Sequence, residues 1–204
     1  MGKIRQAFYV VILAALACTP FFPQSITAQD RQSVTDVSLT IKDIRAHAQS
    51  PFKADGQTAS VLFFILQDCP ISNRYAPEIA RIVSEYQAKN IRFYLVYVDP
   101  TVETKQIEAH LREFNLPAIP VIHDAKRLLV ATTGVSVTPE TAVVGKTGEI
   151  LYRGRIDNLY EALGRPRRNV TERDLRNALD AVLQNRKVPV ARTQAIGCYI
   201  SAQN

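Results

Sequence analysis

The stretch ASVLFFIL at positions 59–66 admits few structural solutions. It carries one hydroxyl and no charge, and its apolar residues do not alternate with polar ones, so neither side of it suits water. A run of this length, rich in β-branched and aromatic residues, predicts a strand buried on both faces, as in a central parallel sheet. A second such run, IRFYLVYV at 91–98, closes on Asp99-Pro100. Between the two, Ile71, Tyr75, Ile79, Ile82, Val83 and Tyr86 recur at helical spacing, which predicts a helix over 71–89. A buried strand, a helix and a second buried strand define a parallel βαβ unit. The rest of the chain has to cover both faces of the sheet that this unit begins.

The remaining pattern supplies that cover. Ile107, Leu111 and Phe114 mark one face of a helix over 103–114. Pro117 and Pro120 lead to a short strand at Val121-Ile122, and 125–132 reads as a short helix. Segments 141–144 and 149–153 flank Gly145-Lys146-Thr147-Gly148, a hairpin turn. Thr171, with Asp174 three residues on, reads as a variant capping box opening a last helix, whose stripe is Leu175, Ala178, Leu179, Val182 and Leu183. Residues 30–58 read as loops and a short strand around Val37, Leu39 and Ile41. The fold class is therefore α/β, with a mixed central sheet covered on both sides. A chain of 204 residues makes one domain of ordinary size with appendages, able to bury a full core without disulfides or metal.

One appendage is at the start. Lys3 and Arg5 precede an eleven-residue apolar run, 7–17, followed by Thr19-Pro20 and a more polar stretch. Basic, apolar and small-residue regions in that order predict a secretory signal peptide over 1–28, cleaved after Ala28. Eleven residues fall short of spanning a bilayer as a helix. Lipid attachment at Cys18, or an uncleaved anchor, are the other readings of this segment. The predicted location is the periplasm or the exterior, with no membrane span after cleavage. Cleavage takes two of the 25 basic residues and none of the 19 acids, so the net charge falls from +6 to +4. A balance that small speaks to solubility and not to nucleic acid. Two cysteines remain, Cys69 and Cys198, in a compartment that permits disulfides.

Cys69 falls between the first core strand and the first core helix. There the backbone N–H groups and the positive end of the helix dipole favour its thiolate, the reactive form. Pro70 suits the first helical turn, where its missing N–H is not needed, and Pro77 is expected to kink the helix further on. A strand, a Cys at the helix start and a Pro eight residues later resemble the thioredoxin active-site helix. Val137-Thr138-Pro139, ahead of the strand at Thr141, resembles the cis-proline turn of that fold. The extra elements around 100–130 match an insertion of the redoxin branch. The whole mature chain resembles exported redoxin-domain proteins of the alkyl hydroperoxide reductase and thiol-specific antioxidant superfamily, with 29–188 as the redoxin domain. The likeness is carried by CPISNRYAPEIARI, VTPE, YRGRIDN and the terminal AIGCYI. It implies a three-layer α/β/α thioredoxin-like fold, with 189–204 as a cysteine-bearing tail.

The resemblance also implies roles. Cys69 is the attacking thiol of a thiol–disulfide oxidoreductase, Pro139 presents substrate backbone to it, and Cys198 resolves it. Ser72, Thr138 and Arg74 support thiolate or substrate. Substrates are protein thiols and disulfides or a peroxide, a thiol reductant supplies electrons, and no cofactor or metal is required.

The chain departs from the relatives at three points. Ser72 stands at the second position of C-x-x-C. The Pro and hydroxyl residue that precede a peroxidatic Cys are missing, since Phe63-Phe64-Ile65-Leu66-Gln67-Asp68 stands there. Asn73 replaces the second Cys of the copper-delivering C-x-x-x-C. Asp68 opposes a thiolate that Arg74 favours. Two readings of Cys69 stand: a redox-active thiol, or a structural thiol that is half of a permanent bridge to Cys198. The second goes with a non-catalytic binding module or copper-carrying assembly factor. His110 reads as a core or rim histidine and His123-Asp124 as a strand-end loop. His47 carries no argument, and no zinc spacing appears. The arginine-rich segment 152–169 reads as a solvated loop, or as a docking face for an acidic partner.

Overall fold

The computed structural model describes residues 39–53 and 55–201. The leader, its cleavage point and Cys18 lie outside the described residues. In chain order the elements are β1 (Ile41–Lys42), β2 (Ala48–Gln49), β3 (Ala59–Ile65), α1 (Pro70–Tyr86), β4 (Ile91–Tyr97), α2 (Thr104–Glu113), β5 (Val121–His123), α3 (Leu128–Thr133), β6 (Val137–Thr138), β7 (Glu140–Val144), β8 (Ile150–Gly154), β9 (Tyr160–Ala162), β10 (Arg165–Pro166), α4 (Asp174–Leu183) and β11 (Cys198–Tyr199). Among the described residues no helix is long and apolar enough to cross a membrane.

Five strands form the central sheet in the order β5-β4-β3-β7-β8. β3, β4 and β5 run parallel, with Val61 opposite Phe93 and Leu95 opposite Val121. β7 and β8 are antiparallel to their neighbours, with Phe63 opposite Thr141 and Val143 opposite Tyr152. All seven residues of β3 are buried. The pleat divides them between two cores. Ala59, Val61, Phe63 and Ile65 meet α1, α2 and α4 on one face. Leu62 and Phe64 meet Leu129 of α3 and Phe52 of the N-terminal segment on the other. That is three layers around a mixed sheet, a thioredoxin-like fold, with β5 and α3 set between α2 and the turn at Pro139.

Local signals account for most boundaries. α1 buries the stripe Ile71, Tyr75, Ile79, Ile82, Val83 and Tyr86, and Pro77 lies inside it without ending it. Its last turn tightens into a 3₁₀ turn over Gln87–Lys89 and stops at Asn90 in the left-handed region. α2 opens with a capping box: the Glu103 carboxylate accepts a backbone N–H at Gln106, whose side-chain oxygen accepts the Glu103 N–H at 2.8 Å.

α4 starts later than Thr171 suggests. Asn158 holds 171–172 outside the helix, its Oδ1 accepting the N–H of Thr171 at 2.9 Å and of Glu172 at 3.1 Å, while its Nδ2 donates to the Thr171 hydroxyl at 2.7 Å. The helix therefore begins at Asp174, behind Arg173, without a side-chain cap. Asp174 serves Arg155 instead, accepting from its Nε at 2.7 Å.

The basic segment is a paired hairpin more than a loose loop. β9 and β10 are antiparallel, and Arg165 and Arg167 both reach Glu161. Arg155 is ion-paired to Asp174 and Glu172, and Arg153 to Glu140. Most of the positive charge here is thus answered within the fold.

Candidate active site

Cys69 is the residue on which α1 begins. Its backbone is extended (φ −88°, ψ 108°), Pro70 fills the first helical position, and the sulfur accepts the N–H of Ser72 at 3.5 Å as an N-cap. Opposite it stands the turn that joins β6 to β7. The Thr138–Pro139 peptide is cis, and the Cys69 thiol donates to the Thr138 carbonyl oxygen at 3.1 Å. Residues 69 positions apart in sequence meet because β3 and β7 are neighbours in the sheet.

The third component is the tail. Tyr199 and Cys198 pair antiparallel with Val137 and Thr138, and the N–H of Ile200 donates to the Ser136 carbonyl at 3.0 Å. Cys198 therefore lies across from Thr138, whose carbonyl receives the Cys69 thiol, and both cysteines are free. Burial pushes the Cys69 thiol up. The neighbouring Cys198 thiol, Ser72 and Thr138 overcome this, and its pKa lies below the ordinary thiol value. Burial and the neighbouring Cys69 push Cys198 the other way, up to about 12. One thiol of the site is thus shifted toward the thiolate and the other away from it.

The supporting residues differ in how they take part. Ser72 is buried and its Oγ has no hydrogen-bond partner, so it stands beside the sulfur with a donor to spare. The Thr138 carbonyl meets Cys69, and its hydroxyl also donates to the Cys198 carbonyl at 3.5 Å. Pro139 follows directly. Arg74 is exposed and makes no hydrogen bond or ion pair among the described residues, and Asp68 is exposed as well.

Two sets of residues that sequence reasoning did not assign to the site hold it in place. Asn73 donates from Nδ2 to the Gln67 carbonyl at 2.8 Å, closing the turn that carries Cys69. Its Oδ1 then faces His110 Nε2 at 2.9 Å, which makes that nitrogen the donor and leaves Nδ1 to accept from the Tyr97 hydroxyl at 2.7 Å. His110 is a buried, satisfied histidine, as its place on an apolar helix face suggested, yet it braces the cysteine turn. Burial lowers its pKa, partly opposed by the charges of Glu113 and Asp68. On the other side, the buried Glu140 carboxylate accepts the N–H of Ser136 at 2.8 Å and of Val137 at 3.4 Å, and Arg153 Nε stands 3.6 Å from its other oxygen. That pins β6, the strand on which the tail rests.

The segment YRGRIDN is structural. The Tyr152 hydroxyl binds the Arg155 carbonyl at 2.6 Å and Thr193 Oγ1 at 2.7 Å. Asp157 accepts from the Tyr75 hydroxyl at 2.6 Å, tying the segment to α1, and Asn158 makes the clamp described above. His123 Nε2 lies 2.8 Å from the Asp99 carbonyl, a clasp between strand ends. An open cleft of about 750 Å³ between the β1–β2 turn and the end of α2 includes none of Cys69, Thr138, Pro139 or Cys198. Its buried Asp43 is already satisfied by Arg45 and His47 N–H groups and Gln49. Among the described residues no three His, Cys, Asp or Glu side chains cluster as metal ligands would.

A cysteine capping the first sheet-covering helix, facing the carbonyl ahead of a cis-proline, defines a thioredoxin-like redoxin site. Residues 31–153 match the model of the AhpC/TSA family, and the chain belongs to that family. No curated protein matches. Solved structures share the fold. An uncharacterized conserved protein from Geobacillus kaustophilus is 21% identical with a TM-score of 0.69, covering 81% of this chain and 88% of its own. A hypothetical protein from Sinorhizobium meliloti is 20% identical with a TM-score of 0.68, covering 81% and 91%. A thiol:disulfide interchange protein of the thioredoxin family from Chlorobium tepidum is 12% identical with a TM-score of 0.52, covering 71% and 92%.

Proposed function

We propose that this chain is an exported thiol–disulfide oxidoreductase that works through Cys69 and Cys198. The observation that carries the reading is geometric: Cys69 caps α1 against the Thr138 carbonyl, ahead of the cis Pro139, and the tail strand sets Cys198 opposite the same Thr138. In the reductive direction the Cys69 thiolate attacks one sulfur of a substrate disulfide. That S–S bond breaks, the second substrate sulfur leaves as a thiolate and takes up a proton, and a mixed disulfide joins Cys69 to the substrate. Cys198 then loses its proton, attacks Cys69 Sγ and expels the remaining substrate sulfur. The substrate gains two electrons and two protons, the chain is left with a Cys69–Cys198 disulfide, and a dithiol or thiol reductant restores it.

Each neighbour has a task in this scheme. The Ser72 N–H and hydroxyl stabilise the thiolate, the Thr138 carbonyl and Pro139 border the place where substrate backbone lies, and Arg74 contributes charge at the mouth. Cys198 replaces the partner that Ser72 cannot be. In peroxide reduction, a sulfenic acid would form at Cys69 and condense with Cys198. The residues before Cys69 supply no Pro or hydroxyl to activate the peroxide, so disulfide exchange is favoured.

The test is a trapping experiment. A full-chain Cys198→Ser variant incubated with an oxidised protein substrate should accumulate a mixed disulfide at Cys69, identified by mass. Cys69→Ser should accumulate none and should lose all substrate reduction. A Cys69→Ser chain that still reduces the substrate would end the proposal.

A further inference from the structure

The tail does more than bring a second thiol to Cys69: it fills the ground that a substrate strand needs. Cys69 is 1% exposed, and β11 runs along the edge of β6 beside it. The pairing is main-chain, which any extended peptide reproduces. It is also short. Upstream the tail is anchored to β8, where Arg153 N–H donates to the Ala191 carbonyl at 2.9 Å and Thr193 N–H to the Arg153 carbonyl at 3.1 Å. Gly154 (φ +153°) permits that approach, since a Cβ there would lie 2.9 Å from the Thr193 nitrogen. Past Thr193 the hold consists of the two ladder positions of β11, the bonds from Ile200 N–H and the Thr138 hydroxyl, and the packing of Cys198 and Ile200. Tyr199 points away, 77% exposed.

One position in the tail is sterically fixed. A Cβ on Gly197 would overlap the Thr138 carbonyl oxygen and lie 2.6 Å from its carbon, with no flexible side chain to yield. The residue before the cysteine on this edge has to be glycine.

We infer that the β6 edge is a binding site for an extended polypeptide carrying glycine followed by cysteine, and that residues 194–201 are its resident, self-supplied occupant. The tail is thus a displaceable strap over Cys69. A client strand enters by replacing it, antiparallel to Val137-Thr138, which sets the client cysteine where Cys198 stands. Resolution is then a contest for one edge: the returning tail displaces the client strand as Cys198 displaces its sulfur. The substrate class follows, a flexible or unfolded protein segment with an accessible Gly-Cys disulfide. This rests on the redox reading above for the chemistry, though not for the strap.

Two measurements on the reduced full chain test it. The first is the rate of N-ethylmaleimide labelling at Cys69, mapped by mass. Gly197→Ala should expel the tail and raise that rate at least tenfold, and Ile200→Asp, which acts on a different contact, should raise it as well. Unchanged labelling in both variants would overturn the strap.

The second uses Gly197→Ala combined with Cys198→Ser and the blocked peptide Ala-Ile-Gly-Cys-Tyr-Ile, its cysteine joined by a disulfide to thionitrobenzoate. Attack of Cys69 on the peptide sulfur breaks that bond, releases coloured thionitrobenzoate and leaves a Cys69–peptide disulfide. The Gly-Cys peptide should react at least tenfold faster than its Ala-Cys counterpart; equal rates would overturn the peptide site. Failure of the redox reading is read elsewhere, as a wild-type chain that forms no Cys69–Cys198 bridge in oxidised glutathione, and the labelling comparison decides the strap in either case.

Discussion

At the scale of single residues the site turns on two thiols in one environment. As a pair they titrate in two steps, with Cys69 the thiol lowered from the ordinary 9.0. Thiolate absorbance near 240 nm should rise with a midpoint below that value in the wild type. In Cys198→Ala the midpoint should move upward, because the hydrogen bond from Cys198 is the largest influence holding it down. A midpoint unmoved by that substitution would mean that the two side chains do not interact. His110 gives a second pH signature. Its folded pKa is lowered, so its contribution to stability is present above about 6.5 and is lost as pH falls through the folded value. The urea midpoint should fall as pH drops below about 6.5, and His110→Gln, which cannot titrate, should show a shallower fall.

At the scale of elements, two buried polar side chains fix the parts of the fold that apolar patterning leaves undetermined. Asn158 is one, and removing it leaves the N–H groups of Thr171 and Glu172 without their acceptor. Asn158→Ala should lower stability by about 1–3 kcal/mol in urea unfolding. Glu140 is the other. Glu140→Gln should weaken its hold on Ser136 and Val137 and speed amide exchange in β6 and β11 over that in β4, which pairs with β3 and β5 and not with the strand that carries the change.

The same contrast explains what could be read in the sequence. β3, α1 and β4 each repeat one signal over many residues and Cys69 sits at the joint between the first two, whereas Pro139, between β6 and β7, is legible only through the resemblance of Val137-Thr138-Pro139 to a cis-proline turn. β9, β10 and β11 are two or three residues long and carry no period. The bracing of the Cys69 turn joins Gln67, Asn73, Tyr97 and His110, which are near only once β3, β4, α1 and α2 are packed. Thr171 illustrates a true capping signal overruled by a tertiary contact, the clamp from Asn158. The tail is an intermediate case. An apolar AIGCYI at the end of a chain points to packing, but the edge it packs on is set by β6.

For the whole molecule, the central claim is that the fold brings Cys69 and Cys198 together as an exchangeable pair and not as a permanent staple. The family and the fold are consistent with either. What separates them is the reduction potential of the bridge, because working thiol oxidoreductases span roughly −120 to −270 mV whereas structural disulfides typically lie below about −300 mV. The decisive measurement is equilibration of the full chain across a glutathione and dithiothreitol series, with thiols trapped by alkylation and read by intact mass. An exchangeable pair predicts one intramolecular Cys69–Cys198 bridge titrating within that working span. A bridge that persists well below about −300 mV, or two thiols that stay free throughout, would contradict it.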